Sequence, residues 1–423
     1  MNAEKRGAPG GEGREGRLFT PGFRAIVAAQ TFSLLGMEIL QFVLPLHLLN
    51  VTGSGTLYGG VLAAGFVPYV ALSPVGGVLA DRTRKRGVMV ACDAALALAM
   101  ALYLAVTLAS PAQAVPVTVL VLMAAFAAQA LYHPCVQSAM PLVVAPERIT
   151  QATAVANQVS MVTGIAGPVV GGLVFGFFGL GPIVAVSVAA FALSAALVAL
   201  LVRVPYEPPA RTAGALATAA ADIREALAFL RTRPVLWQTI AAAMLVNLFG
   251  SSFINVGTPY VVTESLGLPN QLMGVAQGAL AVGGLAGGLV VALAPARFGI
   301  GSVPRLLAAS VAGIALMALA LALGAGARLA FAAVVAGNMW VMACCMALSI
   351  AATSHLQRET PATLTGKVMA LTMTAANLAT PAGQIAYGVA LDHVPAWSVA
   401  VLAGAAMLVV SAALARARRG SAD

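Results

Sequence analysis

The sequence predicts an all-α polytopic membrane protein with twelve transmembrane helices arranged as two pseudo-symmetric halves of six. The first observation is composition, because 60% of the 423 residues are hydrophobic and only 9% are charged, far from the values of a soluble domain. The second is a series of apolar runs about 20 residues long, the length that crosses a bilayer. The third is that almost all basic residues fall in alternate polar breaks between these runs.

The positions of the runs also predict the orientation of the chain. With both termini in the cytoplasm, every one of the 23 Lys and Arg residues except Arg328 lies on the cytoplasmic side, as the positive-inside rule requires. The net charge of +9 therefore reflects topology and does not indicate nucleic-acid binding. We expect a multi-pass protein of the cytoplasmic (inner) membrane with spans near residues 23–49, 56–80, 87–108, 115–141, 151–177, 181–202, 237–262, 270–296, 303–324, 328–352, 366–391 and 396–415.

One long polar break divides these spans into two groups. Residues 1–22 are rich in Gly, Arg and Glu and lack the apolar core of a signal peptide, which predicts a disordered cytoplasmic tail. The predicted N-terminal six-helix bundle covers 23–202, and the C-terminal bundle covers 237–415. Between them, 203–236 is expected to be a cytoplasmic linker with an amphipathic helix, and 416–423 a second cytoplasmic tail.

The two groups of spans echo each other weakly. Ala166-Gly167-Pro168 in the fifth span matches Ala379-Thr380-Pro381 in the eleventh. Parallel repeats of this kind are typical of transporters, in which the substrate site lies between the halves near mid-membrane.

The densest charge cluster in the chain is GGVLADRTRKRG at residues 76–87. Its basic residues are explained by topology alone. Asp93, two turns into the third span, is near enough to Arg82, Arg84 or Arg86 to form a gate ion pair, although a purely structural role fits its position equally well.

Two motifs resemble a known family. The pattern GxLADRxxKR at residues 77–86 is similar to the signature of the major facilitator superfamily between the second and third spans, with Arg84 in place of the usual glycine. GIAGPVVGG at residues 164–172 resembles the motif of the drug and metabolite exporters of that superfamily. The segments 229–236 and 356–370 resemble its macrolide-efflux and enterobactin-exporter-like branch. The resemblance covers nearly the whole chain and implies the major facilitator fold.

The resemblance also implies a role for the charged loop. In that superfamily the loop helps to hold the outward-open state by contacts with the eleventh span and with helix ends, where an acid at a helix N-terminus is favoured. Together with Asp93, the residues interpreted here as a conformational latch are Gly77, Asp81, Arg82, Lys85 and Arg86. Topology alone is the alternative, but it gives no reason for Asp81.

The glycines of the fifth span predict a helix interface. Gly164, Gly167, Pro168, Gly171 and Gly172 form this motif, and small residues at such spacings allow two helices to cross closely. The resemblance implies that spans 5 and 8 meet between the halves and move there during alternating access. Ordinary tight packing is the alternative explanation.

Glu38, about midway along the first span, is the candidate for proton coupling. A carboxylate at membrane depth is costly and is by default a functional candidate. It shares one side of its helix with other polar residues, so we expect it to face a cavity and to exchange protons. The alternative is a protonated acid that hydrogen-bonds another helix.

Other polar side chains are candidates for the wall of a substrate cavity. Each amide could instead join two helices, and a neutral hydrogen-bonding role for the histidine is the simpler interpretation. The candidates are Gln41, Gln129, His133, Gln137, Asn247, Asn255, Asn338 and Asn377.

These observations predict a secondary active transporter that exports a small amphipathic drug or metabolite by proton antiport and alternating access. Proton-coupled or facilitated uptake of a metabolite is the alternative, and a receptor or assembly partner that does not transport is a third possibility. We expect no enzymatic activity, cofactor or metal, because no phosphate-binding loop, nucleophile–base set or ligand cluster is recognisable. The expected partners are the small-molecule substrate, protons and the bilayer, with a monomer as the functional unit.

Overall fold

A computed structural model describes residues 18–202 and 215–419, apart from the side chains of residues 74, 78, 81, 82, 215–222, 362 and 417–419. Most of the predicted N-terminal tail, the start of the predicted linker and the last residues of the C-terminal tail therefore lie outside the described residues.

The first half contains six helices that run alternately up and down. They are α1 (Pro21–Thr52), α2 (Gly55–Arg82), α3 (Lys85–Ala109), α4 (Ala114–Val143), α5 (Ile149–Phe178) and α6 (Leu180–Leu201). The connections between them are short, so consecutive helices are antiparallel. The first five predicted spans fall inside these bounds, and the sixth, 181–202, ends one residue beyond α6.

The second half begins after helix α7 (Ala215–Arg231) and repeats the arrangement. It contains α8 (Pro234–Ser265), α9 (Gln271–Leu293), α10 (Val303–Ala322), α11 (Ala327–Glu359), α12 (Ala362–His393) and α13 (Ala396–Arg419). Among the described residues, eleven helices are long and apolar enough to cross a membrane. The twelfth is α12, which is 32 residues long. The predicted twelve-helix all-α fold is confirmed.

The two ends of α1 and the start of α2 show how local sequence sets these boundaries. Pro21 occupies the first turn of α1, and the Thr20 hydroxyl accepts a hydrogen bond from the Phe23 amide at 3.1 Å, which caps the helix. The helix stops at Gly53, whose φ of 65° is a left-handed conformation that glycine adopts without strain. Ser54 then caps α2.

Helix α8 departs from regular α geometry at two places. Its turns at Asn247–Ser251 and Val261–Ser265 are π-helical. Such turns are rare and often occur at functional sites. The first of them lies in the middle of the membrane span.

The linker helix α7 packs against the second half. Its Ala226 and Leu230 are buried together with Leu236 of α8 and Val368 of α12, and Glu225 accepts a hydrogen bond from Lys367 at 2.5 Å. The apolar face of this predicted amphipathic helix therefore packs against the second half of the protein.

Among the described residues, the two halves share an apolar core at the end opposite the chain termini. There, Ile39, Phe42 and Leu46 of α1 belong to one buried cluster with Phe253 of α8 and Tyr387 of α12. Nearer the termini, buried clusters of the second half contain no residue of the first half. The bundle is thus closed at the end remote from the termini, which we call the closed end.

Candidate functional site

The closed end is held first by α2 against α12. A Cβ on Gly59 would lie 2.2 Å from the carbonyl oxygen of Gln384, and one on Gly388 would lie 2.3 Å from that of Gly55. Only residues without side chains permit such an approach, so these glycines let the backbones of the two halves touch.

A carboxylate caps the same contact. The Asp392 side chain at the end of α12 accepts hydrogen bonds from the amides of Gly55 at 2.6 Å and Thr56 at 2.9 Å and from the Ser54 hydroxyl at 2.9 Å. Partial burial alone would raise the pKa of Asp392, but the hydrogen bonds outweigh it and the pKa is lowered. A negative charge from one half is therefore bound at the positive N-terminus of a helix of the other half.

The second contact between the halves joins α5 to α9. A Cβ on Gly172 would lie 2.6 Å from the Gly274 amide nitrogen, and Gln271 donates a hydrogen bond to the Gly176 carbonyl at 2.6 Å. The structure thus places α5, which carries the predicted interface motif, directly against the eighth span.

A central cavity of about 430 Å³ lies between these contacts and the opposite end of the bundle, which we call the open end. This volume is within the range of about 300–1,000 Å³ that is usual for small-molecule sites. Apolar surface comes from Phe66, Ile254, Leu280 and Met342, and no Asp, Glu, Lys, Arg or His is among its lining residues. The polar groups that line it are Asn247, Ser251, Asn255, Gln277, Asn377 and Thr380.

Three predicted cavity residues line this space, namely Asn247, Asn255 and Asn377. The first π turn of α8 contains Asn247. Gly164 and Pro168 of the predicted interface motif line it as well.

Among the lining residues that sequence reasoning missed are Gln277, Thr380 and Phe66. Gln277 is the lone amide in the apolar, glycine-rich part of α9 and could have been recognised by that isolation. Thr380 and Phe66 gave no such signal, because threonine and phenylalanine are common on any helix face in a membrane.

The other cavity candidates do not line the central space. Asn338 is fully buried and donates to the Thr258 hydroxyl at 3.0 Å, so it joins α11 to α8. Gln41 donates to Gln129 at 3.4 Å, which joins α1 to α4. For these three amides the correct interpretation is the alternative one, since a helical stripe predicts the face of a residue but not its depth or partner.

His133 and Gln137 are exposed on α4. Together with Gln129 and Asp93, His133 lines a second, much smaller cavity inside the first half. Neither residue is among those that line the central cavity.

Glu38 lies next to the interface motif. It is half-buried in α1, and a Cβ on Gly167 would lie 2.3 Å from its Cβ. The described residues provide no hydrogen bond or ion pair to its carboxyl group. Gly171 similarly leaves room for Ile39 and Val43. The glycine motif of α5 thus packs against α1 on one face and against α9 on another.

The predicted latch is only partly visible. The side chains of Asp81 and Arg82 lie outside the described residues. Gly77 faces open space, whereas a Cβ on Gly76 would lie 2.1 Å from the carbonyl oxygen of Ala130, so Gly76 is the glycine that brings α2 close to its neighbour α4. Lys85 begins α3 and forms no described ion pair.

The predicted ion pair between Asp93 and Arg84 or Arg86 is not formed in the described part of the chain. Arg84 is exposed and Arg86 donates to the carbonyl of Ala199. Asp93 instead accepts hydrogen bonds from the hydroxyls of Ser33 and Ser194. The ion pair does not form because the side chains point in different directions: Asp93 points into the interior of the first half, and the two arginines point towards its end.

The chain is similar in sequence to curated relatives and in fold to solved structures. Macrolide efflux protein A of Streptococcus pyogenes is 27% identical over 183 residues, which are 43% of this chain and 45% of that protein. The match therefore spans less than half of that relative's length.

The nucleoside transporter NupG has a TM-score of 0.71 at 15% identity over 94% of this chain and 99% of its own. A bacterial homologue of the iron transporter ferroportin has a TM-score of 0.70 in its inward-facing state, at 17% identity over 93% of this chain and 98% of its own. Its outward-facing state has a TM-score of 0.59. At these identities the solved structures show a shared fold.

The sequence model of the Major Facilitator Superfamily matches residues 26–384, which is most of the chain. That match, the twelve helices in two halves and the cavity between them lead to one conclusion: the chain belongs to the Major Facilitator Superfamily, a family of membrane transporters and not of enzymes.

Proposed function

We propose that the protein exports a small amphipathic compound from the cytoplasm in exchange for protons. The observation that carries this proposal is the central cavity, which has mixed amide and apolar walls, no charged lining residue and a closed end remote from the termini. Macrolide efflux by a relative supports the direction and the class of substrate. One chain contains the whole cavity, which supports a monomer as the functional unit.

The proposed orientation places both termini in the cytoplasm, because the positive-inside rule then accounts for the basic residues. The closed end is then the extracellular end, and this conformation is inward-facing. The higher TM-score to the inward-facing than to the outward-facing structure of the ferroportin homologue supports the same assignment. In this state the cavity can take up substrate from the cytoplasm.

Glu38 is the proposed proton carrier. Its packing against Gly167 attaches it to α5, whose opposite face meets α9 of the second half. When the halves rock, α5 must move relative to α9, and the surroundings of Glu38 change with it. Protonation of Glu38 removes a charge that is costly at membrane depth. Because the surroundings of Glu38 change with the conformation, the protonation state of Glu38 is linked to the conformation.

The test is efflux of a lipophilic cationic dye and of a macrolide from preloaded cells, with and without a protonophore. We expect protonophore-sensitive efflux that Glu38→Gln abolishes. Glu147→Gln is the matched control, because Glu147 is an exposed acid in the loop before α5, and it should leave efflux unchanged. Proton-driven efflux that survives in Glu38→Gln would refute the role of Glu38.

Uptake of a neutral polar metabolite is the second candidate function. The four amide side chains in the cavity wall favour it, since they could bind hydroxyl groups of a polar substrate as well as the polar part of a drug. Transport by inside-out and right-side-out vesicles under the same imposed proton gradient distinguishes the two directions.

A further inference from the structure

Asp93 is a buried carboxyl group that the proposed mechanism does not use. It lies on α3 with 1% of its surface exposed, and no basic side chain among the described residues forms an ion pair with it. Its Oδ1 accepts a hydrogen bond from the Ser33 hydroxyl of α1 at 2.7 Å, and its Oδ2 lies 2.6 Å from the Ser194 hydroxyl of α6. Three helices of the first half thus meet at this carboxyl group.

The Ser33 and Ser194 hydroxyls have too few protons for all the short oxygen–oxygen contacts around Asp93. Ser194 Oγ also lies 2.9 Å from the backbone carbonyl oxygen of Ala29. A carbonyl oxygen can only accept, and each hydroxyl has one proton to donate. The Ser33 proton is used at Oδ1, so the single Ser194 proton cannot serve both Ala29 and an ionised Asp93.

We propose that Asp93 is a second proton-binding site, occupied by a proton in this conformation. With the proton on Oδ2, Asp93 donates to Ser194 and Ser194 donates to Ala29, so that all three short contacts become hydrogen bonds. An ionised Asp93 would leave one pair of oxygens in close contact with no hydrogen between them and would be a buried charge without a counter-ion.

A small cavity provides a second, independent observation. It has a volume of about 10 Å³ and is lined by Asp93, Gln129, Tyr132 and His133, which is about the space that one water molecule needs. The hydroxyl of Tyr132, with 5% of this residue exposed, has no hydrogen-bond partner among the described residues. A water molecule here would satisfy Tyr132 and give the proton of Asp93 a way out.

The remaining titratable groups around Asp93 form no ion pair with it among the described residues. Cys92 is the titratable neighbour on α3, and Tyr132 and His133 face the cavity from α4. Helix α6 has no titratable residue. On α1 the acid is Glu38, whose carboxyl group could receive the proton but cannot neutralise Asp93.

Polar side chains connect the small cavity to the neighbourhood of Glu38. Gln129 lines the cavity and accepts the hydrogen bond from Gln41, which lies one turn along α1 from Glu38. Asp93 and Glu38 are therefore two proton-binding carboxyl groups joined through α4. The proton count at Asp93 does not depend on the proposed export, so the two proposals can fail separately.

Infrared spectroscopy of the purified full-length protein in lipid at neutral pH tests the proposal. Protonated carboxyl groups have a carbonyl stretch that ionised carboxylates lack. We expect one such band to disappear in Asp93→Asn and to remain in Glu38→Gln. Asparagine keeps the volume, and its amide can donate to Ser194 in place of the acid. Wild-type protein without a band that Asp93→Asn removes would overturn the proposal.

Ser194→Ala keeps the test decisive if Asp93→Asn does not fold. It removes the acceptor of the Asp93 proton and should shift the band. The matched control is Ser187→Ala, two turns away on α6, because Ser187 is also fully buried and its hydroxyl has no described partner. A band that shifts equally in both variants, or in neither, would contradict the proposed hydrogen bond.

Exchange of the same band in heavy water tests the exit route. If a water beside Tyr132 carries the proton, Tyr132→Phe should slow the exchange several-fold. Equal exchange rates in the variant and the wild type would refute this route.

Discussion

The cap that Asp392 forms on α2 predicts how firmly the closed end is held. Replacing Asp392 with alanine removes three hydrogen bonds between the halves. Loss of a helix-capping side chain costs roughly 0.5–2 kcal/mol. Because Asp392 is exposed to solvent, we take about 1 kcal/mol, which is about a fivefold change in an equilibrium. Asp392→Ala should therefore shift the population about fivefold from the closed towards the open form of this end.

The assay is a distance distribution between spin labels at Val51 of the first half and Val394 of the second, both exposed near the closed end, in a variant without the four native cysteines. Asp392→Ala should add a population at longer distance. Glu264→Gln is the matched control, because Glu264 is an acid at the same end with no described hydrogen bond to the other half. Identical distributions for wild type and Asp392→Ala would refute the role of the cap.

Three further predictions concern the halves and the core. Gly59→Ala should open the closed end and reduce transport, because the added Cβ would lie 2.2 Å from a carbonyl oxygen of α12. Gly60→Ala is the control and should leave the closed end unchanged, because a Cβ there would have no neighbour within 4 Å. The same spin-label distances measure both variants. Asn338→Ala should destabilise the protein by about 1–3 kcal/mol by leaving the buried Thr258 hydroxyl unpaired, without changing which substrates are transported, as thermal unfolding and efflux assays would show. The pKa of Asp392 is lowered in the closed form. The stabilisation that Asp392 gives to the closed form is therefore fully present above the ordinary aspartate pKa of about 3.9, and it is lost only as the pH falls through the lowered pKa. Spin-label distances should thus not change between neutral pH and about pH 5.

The two contacts at the closed end differ in chemistry and would respond to different changes. The α2–α12 contact combines backbone packing with the charged cap of Asp392, so it is sensitive to charge. The α5–α9 contact consists of glycine backbones and one amide hydrogen bond, so it is sensitive to side-chain volume. Opening this end requires both to separate, which makes α5 the element that links the interface between the halves to Glu38.

The sequence determined the fold because the bilayer imposes a strong constraint on it. A helix must satisfy its own backbone hydrogen bonds inside lipid, so hydropathy and basic residues were enough to predict twelve helices, although the tenth span was predicted to end at 352 and its helix ends at Glu359. The same constraint made Glu38 conspicuous, since an acid is rare in an apolar span. Two of the predicted cavity residues, Asn247 and Asn255 of α8, line the central cavity in the structure.

Tertiary structure decided which polar groups meet. A helical period of 3.6 residues gives the face of a residue but not its partner on another helix, so Asn338 and Gln129 were indistinguishable in sequence from true cavity residues. Asp93 was expected beside arginines near in sequence, but its partners come from α1 and α6, 60 and 101 residues away. Asp392 gave no signal at all, because its role depends on the N-terminus of a helix more than 300 residues distant. Contacts between distant parts of the chain are set by packing, and only the folded structure shows them.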